Sequence, residues 1–224
     1  MKLVYKNMEK HINFVENTAY VVIVENKKYF RDMILQMQQA MLGADSNWVL
    51  STNGKEIKLD KYTELILDPI NLDCNTRKLL TNLYNEMGKE ALGSEHFVQT
   101  AFVKSEILKF VNDMIQEVDY PFLNTDDFTF ADLFKAVNVH FDTQNGDFLE
   151  RLLNYVQVCA RFQKKELFVF VNLKTYLTSE EIKAFYRDLF YKKIYVLLLE
   201  NQESEPLEYE KTLIIDEDLC LVKA

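Results

Sequence analysis

The chain of 224 residues is short of the residues that loosen or lock a backbone, with 5 Gly, 3 Pro and 3 Cys. So little glycine and proline excludes collagen-like, linker-rich and Gly-rich architectures. Cys74, Cys159 and Cys220 are far apart and odd in number, no C-x-x-C occurs, and no secretory signal opens the chain. A reduced, cytoplasmic setting is therefore expected. Long apolar runs are missing too: the one around Leu197 is strand-length, far short of the roughly 20 residues of a membrane span. Catalytic signatures are equally scarce. After the apolar stretch Ala19–Val24 comes Glu25-Asn26-Lys27-Lys28, without the glycines whose amides cradle a phosphate. Leu167–Val171 ends in Asn172, where a Mg²⁺-binding Asp would be wanted. His11, His96 and His140 have no Cys, His or Asp partner at ligand spacing, and there is no G-x-S-x-G elbow. ATP hydrolysis, transition-metal chemistry and nucleophilic catalysis all lack their machinery.

What is present suits a globular protein. The chain is 48% apolar and 13% aromatic, enough to bury a real core. Ala19–Val24 (AYVVIV) reads as a strand buried on both faces, running into a helix over 29–42 with Phe30, Met33, Ile34, Met37 and Met41 at helical spacing. Asn53-Gly54 between 48–51 and 56–59 signals a hairpin, and 63–67 a short strand stopped by Asp68-Pro69. From about residue 73 to 162 the pattern turns helical. One stripe is Leu79, Leu80, Leu83, Tyr84 and Met87; another is Phe97, Ala101, Phe102, Leu108, Val111 and Ile115. A short helix is predicted over 130–137, with Thr129 and Asp132 spaced as a capping box, and a last one carrying Phe148, Leu152, Tyr155, Val156 and Cys159. Then strands return at Leu167–Val171, Tyr195–Leu199, 213–215 and 219–222, with a helix opened by the capping box Thr178-Ser-Glu-Glu181. The simplest assembly is an α/β head made of 1–70 and 163–224 with a mixed, largely parallel sheet, interrupted by an all-α segment over 71–162.

Net charge is −9, so the surface as a whole repels polyanions and local charge must decide. Residues 1–68 are neutral, 69–162 carry −6 and 163–224 carry −3. The acidity peaks at Glu117, Asp119, Asp126, Asp127 and Asp132, around two helix ends. Carboxylates and free carbonyls together suit a hard cation such as Ca²⁺. The plainer reading is a solvated acidic loop whose Asp127 or Asp132 favours a helix N-terminus. Basic residues come as doublets, Lys27-Lys28, Lys164-Lys165 and Lys192-Lys193, with Lys135, Arg161 and Lys174 besides. In a monomer these are ordinary surface; in a closed ring a few lysines repeated around a pore could hold duplex DNA by its phosphates.

Several stretches resemble one family. They are Lys164–Asn172 (KKELFVFVN), Leu177–Glu181, Val196–Glu200, Val21–Asn26, Thr63–Pro69, Asp132–Gln144 and Ile215–Asp218, in order along nearly the whole chain. They are similar to the Csn-two family, small accessory spacer-acquisition proteins of type II-A CRISPR systems. The resemblance implies a degenerate P-loop-like or RecA-like head with a helical leg, assembled as a ring-shaped homotetramer. It implies sequence-independent binding of double-stranded DNA, preferentially at free ends, through a basic central hole, with Ca²⁺ held in the helical part and no catalysis. The implied partners are the CRISPR integrase proteins and the RNA-guided nuclease, with no membrane involved. Asp126, Asp127 and Asp132 match the family's acidic motif, while Glu117 and Asp119 fall where lengths differ. Lys135, Lys164 and Lys165 match basic positions; Lys27, Lys28 and Lys174 come from the residue reading alone. The rival expectations are a metal-dependent nuclease or ATPase working on DNA ends, and a pure protein scaffold.

Overall fold

The computed structural model describes residues 1–6, 8–121, 127–143 and 146–223. Contacts divide the chain into two compact units, Met1–Asp73 with Thr143–Ala224, and Cys74–Asp142. The first unit begins with β1 (Lys2–Tyr5), β2 (Ile12–Asn13), β3 (Ala19–Val24), α1 (Lys27–Met41), β4 (Trp48–Thr52), β5 (Lys55–Ile57), a single turn α2 (Leu59–Tyr62) and β6 (Thr63–Ile66). The second holds α3 (Arg77–Ala91), α4 (Phe97–Gln116) and α5 (Phe130–Ala136). The first then resumes with α6 (Phe148–Gln163), β7 (Leu167–Val171), α7 (Ser179–Tyr191), β8 (Tyr195–Glu200), β9 (Glu210–Ile215) and β10 (Leu221–Lys223).

The fold is mixed α/β with a largely parallel sheet. Six strands run in the order β10-β9-β3-β8-β7-β6, and every pairing is parallel except β10 on β9. β3 and β7 are buried at every residue, as unbroken apolar runs require when both faces are covered. A second sheet, β2-β1-β4-β5, is antiparallel throughout. Its β4–β5 turn is Asn53-Gly54, with φ of 52° and 74°, the left-handed pair that a tight hairpin needs. Leu3, Tyr5, Trp48 and Leu50 of this sheet share one core with Met33 and Met37 of α1 and with Val22, Val169 and Leu197 of the large sheet. The Trp48 indole N–H donates to the Met33 carbonyl at 2.9 Å, so its one polar atom is satisfied.

α7 covers the sheet with Ile182, Phe185, Tyr186 and Leu189. Its start is the expected capping box: Thr178 accepts from the Glu181 N–H, and the Glu181 carboxylate accepts from the Thr178 N–H at 2.8 Å. Replacing Thr178 by Ala should cost about 1 kcal/mol, read as a shift of the urea midpoint at constant slope.

α6 falls on a different side of the division from the one expected. The sequence pattern places it in the helical segment 71–162, whereas it belongs to the sheet unit and the helical unit ends at Asp142. Leu152, Val156 and Cys159 on its apolar face are buried, and the Tyr155 hydroxyl donates to Glu64 of β6 at 2.9 Å. Within the helical unit Gly88 of α3 packs against α5, where an added Cβ would lie 3.3 Å from the Ala131 nitrogen. The apolar stripe expected on α4 is largely uncovered: Phe97, Ala101, Phe102 and Val111 are exposed, and Leu108 and Ile115 are half-buried.

Candidate nucleic-acid interface

Parallel pairing of β9, β3, β8, β7 and β6 places the starts of these strands at one edge of the large sheet and their ends at the other. Lys27 and Lys28 follow β3 and so stand at the C-terminal edge; Lys164 precedes β7 and stands at the N-terminal edge. Both positions are exposed, as is Lys135, which lies in the other unit. These four exposed lysines therefore do not form one surface of one unit.

Two lysines expected to touch DNA are taken up inside the protein. Lys165 is 6% exposed. Its ammonium donates to the carbonyls of Asp60 (2.6 Å) and Thr63 (2.5 Å) and lies 3.3 Å from a Glu64 carboxylate oxygen. A cation so enclosed ties α6, α2 and β6 together and has no donor left to offer a phosphate. Lys174 is likewise enclosed: its ammonium lies 2.9 Å from the Glu210 carboxylate, which is fully buried, and 3.0 Å from the Ser204 hydroxyl. Lys165 and Lys174 are structural residues, corrected from the expected interface by their burial and partners.

Around Lys174 is a buried charge cluster that sequence reasoning missed. Glu210 also accepts from the Tyr186 hydroxyl at 2.7 Å and from the Leu207 N–H at 2.9 Å. Glu200, 4% exposed at the end of β8, accepts the Lys174 backbone N–H at 3.2 Å. Burial pushes the Glu200 carboxyl up to about 7, against the opposing pull of the Lys174 N–H and charge. Burial and the facing Glu210 carboxylate also push the Tyr186 phenol up. The members lie far apart in sequence, and no local spacing announces them.

The acidic stretch is dispersed. Asp126 lies outside the described residues. The Asp127 carboxylate is held by the Lys104 ammonium, which keeps it below the usual carboxylate range. Asp132 closes the expected capping box, its carboxylate accepting from Thr129 while the Thr129 side chain accepts the Asp132 N–H. Glu117 sits at the C-terminal cap of α4, and both it and Asp119 are exposed. Among the described residues no three His, Cys, Asp or Glu side chains converge as a metal site. A calcium ion asks for six to eight oxygens; of the expected donors, Asp127 is engaged by Lys104 and Asp132 by Thr129. Nearby, a cavity of about 670 Å³ is lined by Leu92, Phe97, Phe128 and Phe130 together with Lys89 and the Lys104–Asp127 pair.

The start of α1, where a phosphate loop would lie, is closed by its own cap. Asn26 accepts the Tyr29 N–H at 3.1 Å and its side-chain amide donates to the Glu217 carbonyl at 2.9 Å. Of the histidines, His96 stands at the N-cap position of α4 without a side-chain capping bond, and His140 bonds the Asn138 carbonyl. No described helix is long and apolar enough to cross a membrane.

Comparison with known proteins follows the same direction as the motifs. The model of a family described as "CRISPR-associated protein (Cas_Csn2)" matches residues 42–219. A CRISPR-associated protein Csn2 of Enterococcus faecalis is 27% identical over 150 residues, covering 63% of this chain and 66% of that relative. One of Streptococcus agalactiae is 28% identical over 172 residues, covering 72% of this chain and 73% of that relative. The chain thus spans just under two thirds of the first relative's length. Among solved structures, an ATP-binding cassette of an ABC transporter in its ADP conformation aligns with a TM-score of 0.48 and 11% identity, over 95% of this chain and 85% of that one. So slight a likeness carries no argument about activity.

Proposed function

Because this chain belongs to the Csn2 family of CRISPR-associated proteins, we propose that it is a non-catalytic ring that binds double-stranded DNA ends without sequence preference during spacer acquisition. The ring is a homotetramer, and it works beside the integrase proteins and the RNA-guided nuclease. The observation that carries this reading is the set of exposed lysines, Lys27, Lys28, Lys135 and Lys164, on a chain whose net charge is −9. Symmetry that repeats such cations around one axis concentrates positive charge that a single acidic copy leaves dispersed. The sheet unit is a degenerate P-loop-like head: β3 runs straight into α1, yet Asn26 and no glycine occupies the turn. Such a head grips DNA without hydrolysing ATP. No step of this reading passes through calcium; Asp127 and Asp132 are engaged by Lys104 and Thr129.

One or two lysines per copy give four copies about 4–8 phosphate contacts, each steepening the log–log salt dependence by about 0.9. The expected result is salt-sensitive retardation of linear duplex well above that of closed circular duplex, by a species with the mass of four copies. A salt-independent affinity, or a monomer in solution with or without divalent ions, overturns it. Cleavage of linear DNA with Mg²⁺ or Mn²⁺, or turnover of ATP, would replace it with the enzymatic reading.

A further inference from the structure

We infer that the N-terminal edge of β7 and β8 is a phosphate-holding surface for duplex DNA, and that Lys164 and Lys193 are kept in strained backbone positions there for their charge. This rests on the DNA reading above and names which sheet edge serves it. β7 and β8 begin side by side, Leu167 opposite Tyr195. The helices that feed them, α6 and α7, both end at this edge. A recess of about 360 Å³ is lined there by Gln157, Ala160, Arg161, Glu166, Lys192 and Lys193. Arg161, Lys164, Lys192 and Lys193 are all exposed.

The backbone supplies the second argument. At the end of α7 the Lys193 N–H donates to the Phe190 carbonyl (3.0 Å) and the Ile194 N–H to the Leu189 carbonyl (2.9 Å). That double bond pattern holds Lys193 in the left-handed region, at φ 55°. Lys164 ends α6 in the same region, at φ 59°. A side chain there crowds the following carbonyl, so Gly or Asn is the usual occupant. At two other helix ends the chain follows that rule, with Gly43 after α1 at φ 74° and Asn138 after α5 at φ 56°, although Tyr209 and Leu219 hold the same region outside helices. Of the described helices, only α6 and α7 end on a left-handed lysine; Lys193 lines the recess, and Lys164 stands between its lining residues Arg161 and Glu166 in the chain without lining it.

A fold-only account would have these cations answer the partial negative charge of the helix ends. Arg161 in the last turn of α6 and Lys192, held by Asp188 at 2.7 Å, already do that. Neither needs a lysine in the left-handed position. The acids nearby leave the two lysines available: Glu166 lines the recess, and Glu16 lies 3.7 Å from Lys193 with both groups exposed.

The test replaces both lysines in the full-length chain, Lys164→Gly with Lys193→Gly, and measures Tm and duplex affinity across salt by fluorescence anisotropy. Relief of strain should leave Tm unchanged or raise it by roughly 2–4 °C. Affinity for linear duplex at 0.1 M salt should fall roughly tenfold or more, with a salt slope shallower by about 0.9 per lost contact. Arginine at both positions should restore the affinity. If the wild type binds duplex and the glycine variant binds it equally with the same slope, the inference is overturned while the DNA reading stands. A Tm lower by several degrees assigns the two lysines to the fold and also overturns it. A wild type that binds no duplex refutes the DNA reading itself.

Discussion

Lys165→Ala should lower the stability of the protein by about 3–5 kcal/mol, the largest single effect expected of any lysine in it. The ammonium is enclosed by two backbone carbonyls and the Glu64 carboxylate, which also accepts the Tyr155 hydroxyl. Truncation strands a part-buried carboxylate and leaves carbonyls without a donor, and the desolvation already spent on them is not recovered. Urea unfolding monitored by far-ultraviolet circular dichroism measures the change. Lys165→Met combined with Glu64→Gln should regain much of the loss, because the uncompensated charge is then gone. Lys164→Ala, one residue earlier and exposed, should stay within about 0.5 kcal/mol. Equal costs at the two positions would refute the assignment of Lys165 to the interior.

Stability should also fall as pH rises through the range below neutrality, on account of Glu200. Its folded-state value, about 7, lies above its ordinary 4.5. Between those values the folded state binds the proton more tightly than the unfolded state. The contribution of Glu200 is therefore fully favourable below about 4.5, declines from there to about 7, and is lost above it. The difference corresponds to about 3 kcal/mol. Lys174 moderates the shift and Glu210 reinforces it. Glu200→Gln, which keeps an acceptor for the Lys174 N–H, should match the wild type near pH 4.5 and exceed it by about that amount at pH 8. A gap between the two proteins that stays constant from pH 4.5 to 8 would refute this account.

The parts of the fold that were readable in the sequence are those set by local physics. β3 and β7 stand out because burial on both faces demands unbroken apolar runs, and Thr129/Asp132 and Thr178/Glu181 because a capping box needs only a three-residue spacing. The allegiance of α6 was not readable: an amphipathic stripe says that a face is buried, never against what. Lys164 and Lys165 make the same point at finer scale. They are identical neighbours, one exposed and one enclosed, and the alternation that would separate them vanishes at once into a fully buried strand. The Glu200, Lys174 and Glu210 cluster was invisible because its contacts run between separate elements. The opposite edges of the lysine doublets came only with the strand pairing, since the sequence reading groups them as one set. A doublet before a parallel strand and a doublet after one cannot share an edge.

The helical unit, Cys74–Asp142, is entered after β6 and left before β7, and these two strands are adjacent and parallel in the sheet. α6 alone supplies the crossover that such a pair needs. The intervening segment is thus a guest in an already complete βαβ connection. Deleting it, or exchanging it for one of another length, alters a loop-closure term that grows only logarithmically and leaves the register of β6 on β7 untouched. A change of length or sequence within that guest therefore need not disturb the pairing of the host strands on either side of it.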